Sequence, residues 1–500
     1  MKKKLKNLLH FAVVLLFSLP LALKAQETVS IGTLQDIPPL VQNYNYDLKL
    51  LEEDIRRAQA SLLNLQGQYY YPELKTEINF EDNNQEPVNP FQPARIRDFF
   101  WEVKTEQKLP QGISTEFGVS SLNSRVFQSD PPNPLLPFPQ TFNQPVLFLR
   151  VSVDILQDFL GYITRKELQV SSLDYDTSVV RSVLFRHKMT VAAGTLFLQI
   201  VNLKSQKALR YGIIRAFSRL RGDIQRQLNR SLGEAGDLAR VNRLIATAQA
   251  DVIRLEKNRD VIIRNLQSIL GISVNSQVVP EIRSQKLLKQ TRKCEDRVLT
   301  TEFNASLSQE FELLAMEKNK GKLNSKIFRR QRLPDISLEG GVASTGTDPD
   351  LGGSFKEVGV FDRPIYSVGL KFSWPLSPKR LRAAKEASVA AAQTPSIEFD
   401  KIFHERKILW KRTQDNIQNL RKEYAKMIQA VRSGEKEVAD LLKRFDQGRL
   451  TFFELSEVKV EVFRLKVLAE ALKFQRTQNL LETLQLFNKF ECPLIPDWHP

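Results

Sequence analysis

Apolar side chains recur with a helical period over most of the chain. Segments 45–68 and 161–229 place them at steps of three and four, the spacing of one face of an α-helix. After a Gly-containing break at 231–237, segment 238–269 alternates these steps for more than four heptads, which indicates a seam between paired helices. The seam consists of Leu238, Val241, Ile245, Ala248, Val252, Leu255, Ile262, Leu266 and Ile269, interrupted by Arg259.

Between the first two helical segments the period changes to two. Four runs alternate apolar with polar side chains, at 73–82, 99–109, 113–122 and 147–156, as half-buried strands do. A tight-turn signal, Pro110-Gln111-Gly112, separates the second run from the third. We therefore predict four strands here, with Pro- and Asn-rich loops at 86–93 and 130–145.

The second half of the chain repeats this plan. Its helix, two strands, intervening Gly-rich loop and long helix are predicted at 307–332, 336–345, 366–374, 346–359 and 379–446. A break in the long helix is expected near Pro395. The last helix repeats the heptad seam, and Arg476 lies 217 positions after Arg259. Because unrelated coiled coils share heptads but not readily the same interruption, we predict an internal duplication.

This duplication gives the predicted domain organisation. We expect a first structural repeat at 26–271, a linker at 272–302, a second repeat at 303–490 and a tail at 491–500.

The N-terminal segment 1–25 has the anatomy of a secretory signal peptide. Four lysines precede an apolar core at 8–23, and Ala25 ends a plausible cleavage site. The alternative is an uncleaved N-terminal anchor. After residue 25 no apolar run reaches the roughly 18 residues of a membrane-spanning helix. We therefore expect an exported protein, which crosses a membrane, if at all, as a closed β-barrel.

The positive charge does not indicate nucleic acid. Five of the lysines behind the formal charge of +16 precede residue 26, which leaves +11 (16 − 5 = 11). The remaining Lys and Arg alternate with Glu and Asp along the helical segments, as on solvated helix faces. Export also argues against a nucleic-acid partner.

The helices and strands are incomplete in one copy. A helix of roughly 70 residues extends on the order of 100 Å and needs partners along its length. Four to six strands cannot close a conducting barrel, so several chains are required. Phe99, Phe100, Trp101 and Trp374 fit the aromatic girdles of a membrane barrel, although aromatics also pack soluble sheets.

The order of these elements resembles the TolC family of outer-membrane efflux proteins. The similar pieces are 45–72, 151–161, the turn at 233–237, the helix end at 266–271 and the turn at 448–455. The resemblance implies an α+β membrane protein, with a long antiparallel coiled-coil helical barrel and a transmembrane β-barrel shared between subunits. It also implies a homotrimer in outer-membrane lipid, with its helices in the periplasm.

What the family does sets the functional expectation. We expect a passive exit duct of a tripartite efflux or type I secretion system, working with a periplasmic adaptor (membrane fusion) protein and an inner-membrane transporter. The alternative is a soluble periplasmic coiled-coil scaffold.

The strand count departs from this family, whose members usually contribute two strands from each half. We predict six strands per chain and an eighteen-stranded pore. The alternative is that the extra hairpin folds over the mouth, outside a twelve-stranded pore.

The helix turns carry the candidate site residues. Carboxylates repeated around a trimer would ring the periplasmic entrance and favour cations, while Arg230 and Arg449 could latch helices. The set is Arg230, Gly233, Glu234, Asp237, Asp446, Gly448, Arg449, Glu454 and Glu457. The simpler interpretation is that these are cap and turn residues, with Asp237 capping the returning helix.

No residue pattern indicates catalysis. His187, His404 and His499 lie apart in helices or the tail, so we expect no enzyme activity, metal or cofactor. Cys294 and Cys492 lack metal-ligand spacing. The family plan places both in the belt around the helical barrel, where they either form a disulfide or remain two thiols.

Overall fold

The computed structural model describes residues 29–84, 93, 95–127, 141–229, 234–281, 284–361, 364–374 and 376–492. The predicted signal peptide lies outside these residues. Contacts divide the chain into two compact units. The helical unit comprises Met1–Leu48, Arg186–Glu302 and Arg412–Pro500, and the sheet unit comprises Lys49–Phe185 and Phe303–Lys411. Each unit draws on both predicted repeats, and the repeat boundaries stay a prediction.

Long helices dominate the described part of the chain. The helices are α1 (Ile37–Tyr44), α2 (Tyr46–Tyr70), α3 (Tyr162–Asn229), α4 (Ala235–Leu270), α5 (Ser284–Thr300), α6 (Gln309–Arg330), α7 (Leu351–Val360), α8 (Pro378–Asp446) and α9 (Phe452–Leu486). Among the described residues, none of these helices is long and apolar enough to cross a membrane. The helices predicted at 45–68, 161–229, 238–269, 307–332 and 379–446 are confirmed, as is the predicted last helix, α9, whereas α1, α5 and α7 were not predicted.

Two details of the helices differ from expectation. α8 continues through Pro395, so the break predicted there is wrong. The proline ring packs on Gly321 of α6, where an added Cβ would lie only 2.9 Å from Cγ of Pro395. The predicted Gly-rich loop at 346–359 is also partly wrong because it contains α7. Asp350 caps this helix by accepting a hydrogen bond from the backbone N of Gly353 at 3.0 Å.

The strands form one antiparallel sheet and a short separate pair. β1 (Ser30–Ile31) pairs in parallel with β6 (Gln277–Val278). The six-stranded sheet has the order β2-β3-β4-β5-β7-β8. Its strands are β2 (Glu73–Asn83), β3 (Arg95–Leu109), β4 (Ile113–Phe127), β5 (Thr141–Asp154), β7 (Asp335–Thr345) and β8 (Ile365–Ser373). All six sheet strands predicted from the sequence are present, several of them longer than expected.

The additional hairpin, β3–β4, lies within the sheet. β3 pairs with β2, and β4 pairs with β5. Its turn is bonded to the end of β5, where the carbonyl oxygen of Gly112 accepts a hydrogen bond from the N of Asp154 at 3.2 Å, and it also approaches Gly161 just before α3. Gly161 has a φ of 69°, and a Cβ there would lie 1.7 Å from the carbonyl oxygen of Pro110. Only glycine permits this approach.

Within the helical unit, the heptad seam of α4 faces inward. Val241, Ile245 and Ala248 are buried with residues of α3, α8 and α9 in one apolar core. The members from the other three helices include Phe217, Ile224, Phe445, Phe452 and Leu455. α9 begins 217 positions after α4 (452 − 235 = 217), the same offset as the repeated seam. The core therefore lies beside the two helix turns.

Candidate functional site

The first helix turn precedes α4. Arg230 and Gly233 lie outside the described residues. The N-cap of α4 is Glu234, which makes no side-chain cap bond, so the interpretation of Asp237 as the cap is wrong. Asp237 lies in the first turn, where the helix dipole favours a carboxylate. Burial, with the nearby charge of Glu234, nevertheless raises the pKa of Asp237, and Arg240 opposes this shift.

The second helix turn is built by local hydrogen bonds. Gly448 has a φ of 68° after α8 ends, and the N of Arg449 donates to the carbonyl of Arg444 at 2.9 Å. These features form a Schellman-type helix end. α9 then begins with a capping box, in which the N of Glu454 donates to Oγ1 of Thr451 and the N of Thr451 donates to Oε2 of Glu454. Glu454 therefore has a structural role at this turn.

The remaining predicted turn residues are on the surface. Asp446, Gly448, Arg449 and Glu457 are exposed. Arg449 has no carboxylate within ion-pair distance among the described residues. These exposed charges remain candidates for the entrance, and their role stays a prediction.

One contact and one half-buried lysine at the turns were not predicted from the sequence. The guanidinium of Arg240 in α4 lies 3.8 Å from the ring centroid of Phe453 in α9, which is a cation–π contact between the two helical hairpins. Lys459 is half-buried nearby, and burial lowers its pKa while Asp446 and Asp223 oppose the shift. Arg240, Phe453 and Lys459 are ordinary members of amphipathic helix patterns. The sequence therefore gives no signal for the cation–π contact or for the burial of Lys459.

A buried ion cluster joins α5 to α8 and α9. Glu295 is 1% exposed. Its two carboxylate oxygens accept hydrogen bonds from Arg476, with Nε at 2.8 Å and Nη2 at 2.5 Å, and from Nε of Arg421 at 2.6 Å. The same Arg421 reaches Oδ1 of Asp296 at 2.6 Å. Planar bidentate pairing of this kind is strong and orients the groups.

Cys294 lies beside this cluster and forms a disulfide with Cys492, with an S–S distance of 2.02 Å. A hydroxyl pair, Thr291 with Thr477 at 3.0 Å, links the same part of α5 to α9. Of the two arrangements left open by the sequence, the structure thus contains the disulfide. It closes a loop of 198 residues.

Arg259 and Arg476 have different environments, although each interrupts its seam at the same position. Arg476 is 6% exposed and bound to Glu295. Arg259 is 41% exposed at its side chain and contacts only the adjacent Asp260 among the described residues at ion-pair distance. The arginine that interrupts each seam is therefore buried in an ion pair in α9 but partly exposed to solvent in α4.

The sheet has two chemically different faces. Residues paired across antiparallel strands lie on the same face, and successive residues lie on opposite faces. One face, here the apolar face, presents side chains in register across the sheet, such as Ile78 opposite Trp101 and Leu338 opposite Leu370. Its exposed members include Leu74, Ile78, Phe80, Phe99, Val103, Phe117, Leu149, Leu338, Tyr366, Val368, Leu370 and Phe372.

The opposite face, here the polar face, carries a charge network. Lys104 contacts Glu102 at 3.0 Å, Glu106 at 3.2 Å and Glu116 at 2.8 Å, and Arg150 reaches Glu116 at 3.3 Å. This face lines a cavity of about 1070 Å³ near the helix-to-strand junction. A sheet with one apolar and one charged face suits lipid on one side and water on the other.

The two edge strands of the sheet each have one unpaired edge among the described residues. Within the described residues, β2 and β8 each pair on one side only, and Val368 of β8 is 84% exposed. α7 covers a small part of the apolar face, where Phe355 stacks on Trp101 and the carbonyl of Val358 accepts from Oγ of Ser344 at 2.9 Å. The rest of the apolar face and both edges need other partners.

The two described histidines lie in different helices. His187 is buried, with Nε2 2.9 Å from the carbonyl oxygen of Leu484, and His404 is exposed. His499 lies outside the described residues. Within the described ranges, no group of His, Cys, Asp or Glu side chains is arranged to hold a metal ion.

These features define the class of fold: α+β, with long helices paired through apolar seams and a sheet that is apolar on one face. No family model matches the chain, and no curated protein matches it. Solved structures do match. The outer-membrane protein VceC from Vibrio cholerae is 11% identical, with 91% of this chain and 96% of that chain covered at a TM-score of 0.65.

Two further solved channels are similar to the chain. CusC, whose structures concern transmembrane channel formation, is 13% identical over 90% of this chain and 91% of its own, at a TM-score of 0.65. The CmeC outer-membrane channel of Campylobacter jejuni is 13% identical over 92% of this chain and 86% of its own, at 0.61. The resemblance to the TolC family is thereby confirmed at the level of the fold.

Proposed function

We propose that the chain is the subunit of an outer-membrane channel that assembles as a homotrimer. The two-faced sheet with its unpaired edges carries this proposal. If β8 of one copy pairs with β2 of the next, three copies form a closed barrel without edges, the arrangement that satisfies a sheet in lipid. The apolar face then contacts lipid, and the polar face lines the pore.

The position of the additional hairpin supports an eighteen-stranded pore. β3 and β4 pair on both sides within the sheet, and their turn packs at the helix end of the sheet. A tag inserted after Gln111 should therefore be inaccessible from the cell exterior, whereas a tag between β2 and β3 should be accessible. An exterior tag at Gln111 would favour the twelve-stranded alternative.

In this proposal the helical part lies in the periplasm and its turns form the entrance. The exposed carboxylates of Asp446 and Glu457, with those of Glu234 and Asp237, would be repeated around the trimer and favour cations. Asp446→Asn with Glu457→Gln should lower cation selectivity in planar bilayers. Glu435→Gln with Glu461→Gln, two exposed carboxylates farther along α8 and α9 from the turns, is the control.

The proposed role is that of a passive duct. A periplasmic adaptor protein and an inner-membrane transporter would supply the cargo and the energy, in efflux or in type I secretion. No catalytic step by this chain is invoked.

Membrane fractionation followed by chemical crosslinking tests the proposal. We expect the mature protein in the outer-membrane fraction, released by detergent and crosslinked to a trimer. Recovery in the soluble fraction without detergent would instead favour a periplasmic coiled-coil scaffold.

A further inference from the structure

The apolar face of the sheet ends in a row of basic side chains. β2 starts directly after α2, and the β3–β4 turn packs near the start of α3, so residues around Asn83, Arg95 and Phe127 mark the end of the sheet remote from the end of α2 and the start of α3. The register places Arg97 opposite Asp82 on one side and Arg125 on the other. All three lie on the apolar face, as does Arg95 opposite Phe127.

Among the described residues, this row contains more guanidinium groups than carboxylates. Asp82 pairs with Arg95, and with Nε of Arg97 at 3.1 Å. Arg125 is exposed and has no carboxylate partner among the described residues. Within the described ranges, three guanidinium groups thus share one carboxylate. Arg95 and Arg97 also lie 5.9 and 5.4 Å from the ring centroid of Phe127, so the cations adjoin an exposed apolar ring.

The residues next to this row indicate where it lies relative to a membrane. The following positions toward the helices pair Phe80 with Phe99 and then Ile78 with Trp101. The order along the strands is therefore aliphatic, aromatic and basic. Aromatic side chains concentrate at the interface between hydrocarbon and headgroups, which places the arginines at headgroup depth.

We propose that Arg95, Arg97 and Arg125 bind the phosphate of a lipid headgroup in the leaflet remote from the end of α2 and the start of α3. The proposal rests on the proposed function, because it requires the apolar face to contact lipid. A guanidinium fork matches phosphate oxygens in a bidentate manner. The continuity of the row with the apolar face commits it to a membrane lipid, whose chains would extend along the exposed Phe80 and Ile78 of β2 while the phosphate meets the guanidinium groups.

Binding of defined phosphorylated lipids to the full-length trimer in a neutral detergent, followed by native mass spectrometry, tests this site. We expect diphosphoryl lipid A to bind more tightly than its monophosphoryl form. Arg97→Gln with Arg125→Gln should weaken binding about tenfold, while Lys substitutions at both positions should weaken it less. Arg150→Gln with Lys371→Gln removes two positive charges from the polar face and is the matched control.

The outcomes separate this proposal from its alternatives. Equal binding of the two lipids, or an equal loss in the control variant, would overturn it. Displacement of the lipid by inorganic phosphate alone would reassign the arginines to free phosphate. The wild-type protein is also inserted into zwitterionic bilayers, and its conductance is measured. If it conducts but lipid binding does not depend on the arginines, this site is rejected and the channel stands. If it does not conduct, the proposed channel is rejected.

Discussion

The helical unit and the sheet unit differ in how they accommodate unfavourable groups, namely a buried charge in one and exposed apolar side chains with unpaired strand edges in the other. In the helical unit the buried carboxylate of Glu295 is matched within the chain by Arg476 and Arg421. In the sheet unit, the side chain of Val368 is 84% exposed, and the outer edges of β2 and β8 are unpaired among the described residues. The buried ion cluster is thus neutralised within a single copy, whereas in the proposed channel lipid and further copies cover the apolar face and the edges of the sheet.

The most destabilising substitution is expected at the buried ion cluster of the helical unit. Arg476→Ala would leave Glu295 buried without its bidentate partner, so we expect the free energy of unfolding to fall by about 3–5 kcal/mol. Arg259→Ala removes the counterpart in α4 and should cost about 0–1 kcal/mol, because its ion pair is partly exposed. Denaturant unfolding in detergent measures both. Equal losses would contradict the contrast between the two arginines.

The second prediction tests the open surface of the sheet unit. Val368→Arg places a charge on the apolar face about midway along β8 and should cost about 2–4 kcal/mol in a membrane. Ser367→Arg adds the same side chain one residue earlier, on the polar face, and should be tolerated. The yield of assembled trimer in membranes reports the difference. Tolerance of both variants would show that the apolar face does not contact lipid.

The disulfide should contribute less than the ion cluster. Cys294→Ser with Cys492→Ser should lower the free energy of unfolding on the order of 2 kcal/mol, because Thr291 and Thr477 still join α5 to α9. Reduction of the wild-type protein should give the same loss. Electrophoretic mobility that does not depend on reductant, with two titratable thiols in the unfolded protein, would exclude this bond.

A smaller effect distinguishes the two helix turns. Thr451→Ala removes the capping box of α9 and should cost about 1 kcal/mol. Glu234→Ala changes the N-cap of α4, whose side chain makes no cap bond, and should cost less. Hydrogen exchange of the first turns of α4 and α9 measures the two effects separately. Equal fraying in both variants would contradict this difference.

The smallest effect concerns pH at the first turn. The pKa of Asp237 is raised above its usual 3.8, so its contribution to stability is present below that value and is lost as pH rises through the folded-state pKa. Asp237→Asn removes this dependence and should slightly raise the melting temperature at neutral pH. Parallel pH profiles of the two proteins would argue against the assignment.

Local periodicity determined most of the architecture. Steps of three and four fixed α2, α3, α4, α6 and α8, and alternation fixed the six sheet strands, because both patterns depend on neighbours within a few residues. The order of these elements was enough to indicate the fold class. The capping box of the second turn could also be predicted from the sequence, because Thr451 and Glu454 have its three-residue spacing.

Tertiary structure alone decided the rest. Whether Arg476 is buried depends on Glu295, 181 positions away, and nothing near Arg259 or Arg476 distinguishes them. Strand register brings Asp82, Arg97 and Arg125 into one row, and the packing of α7 on the sheet buries Val358 and Ser354. Sequence periodicity specifies which side of an element is apolar, whereas the partners that meet across that side are fixed only when distant segments pack.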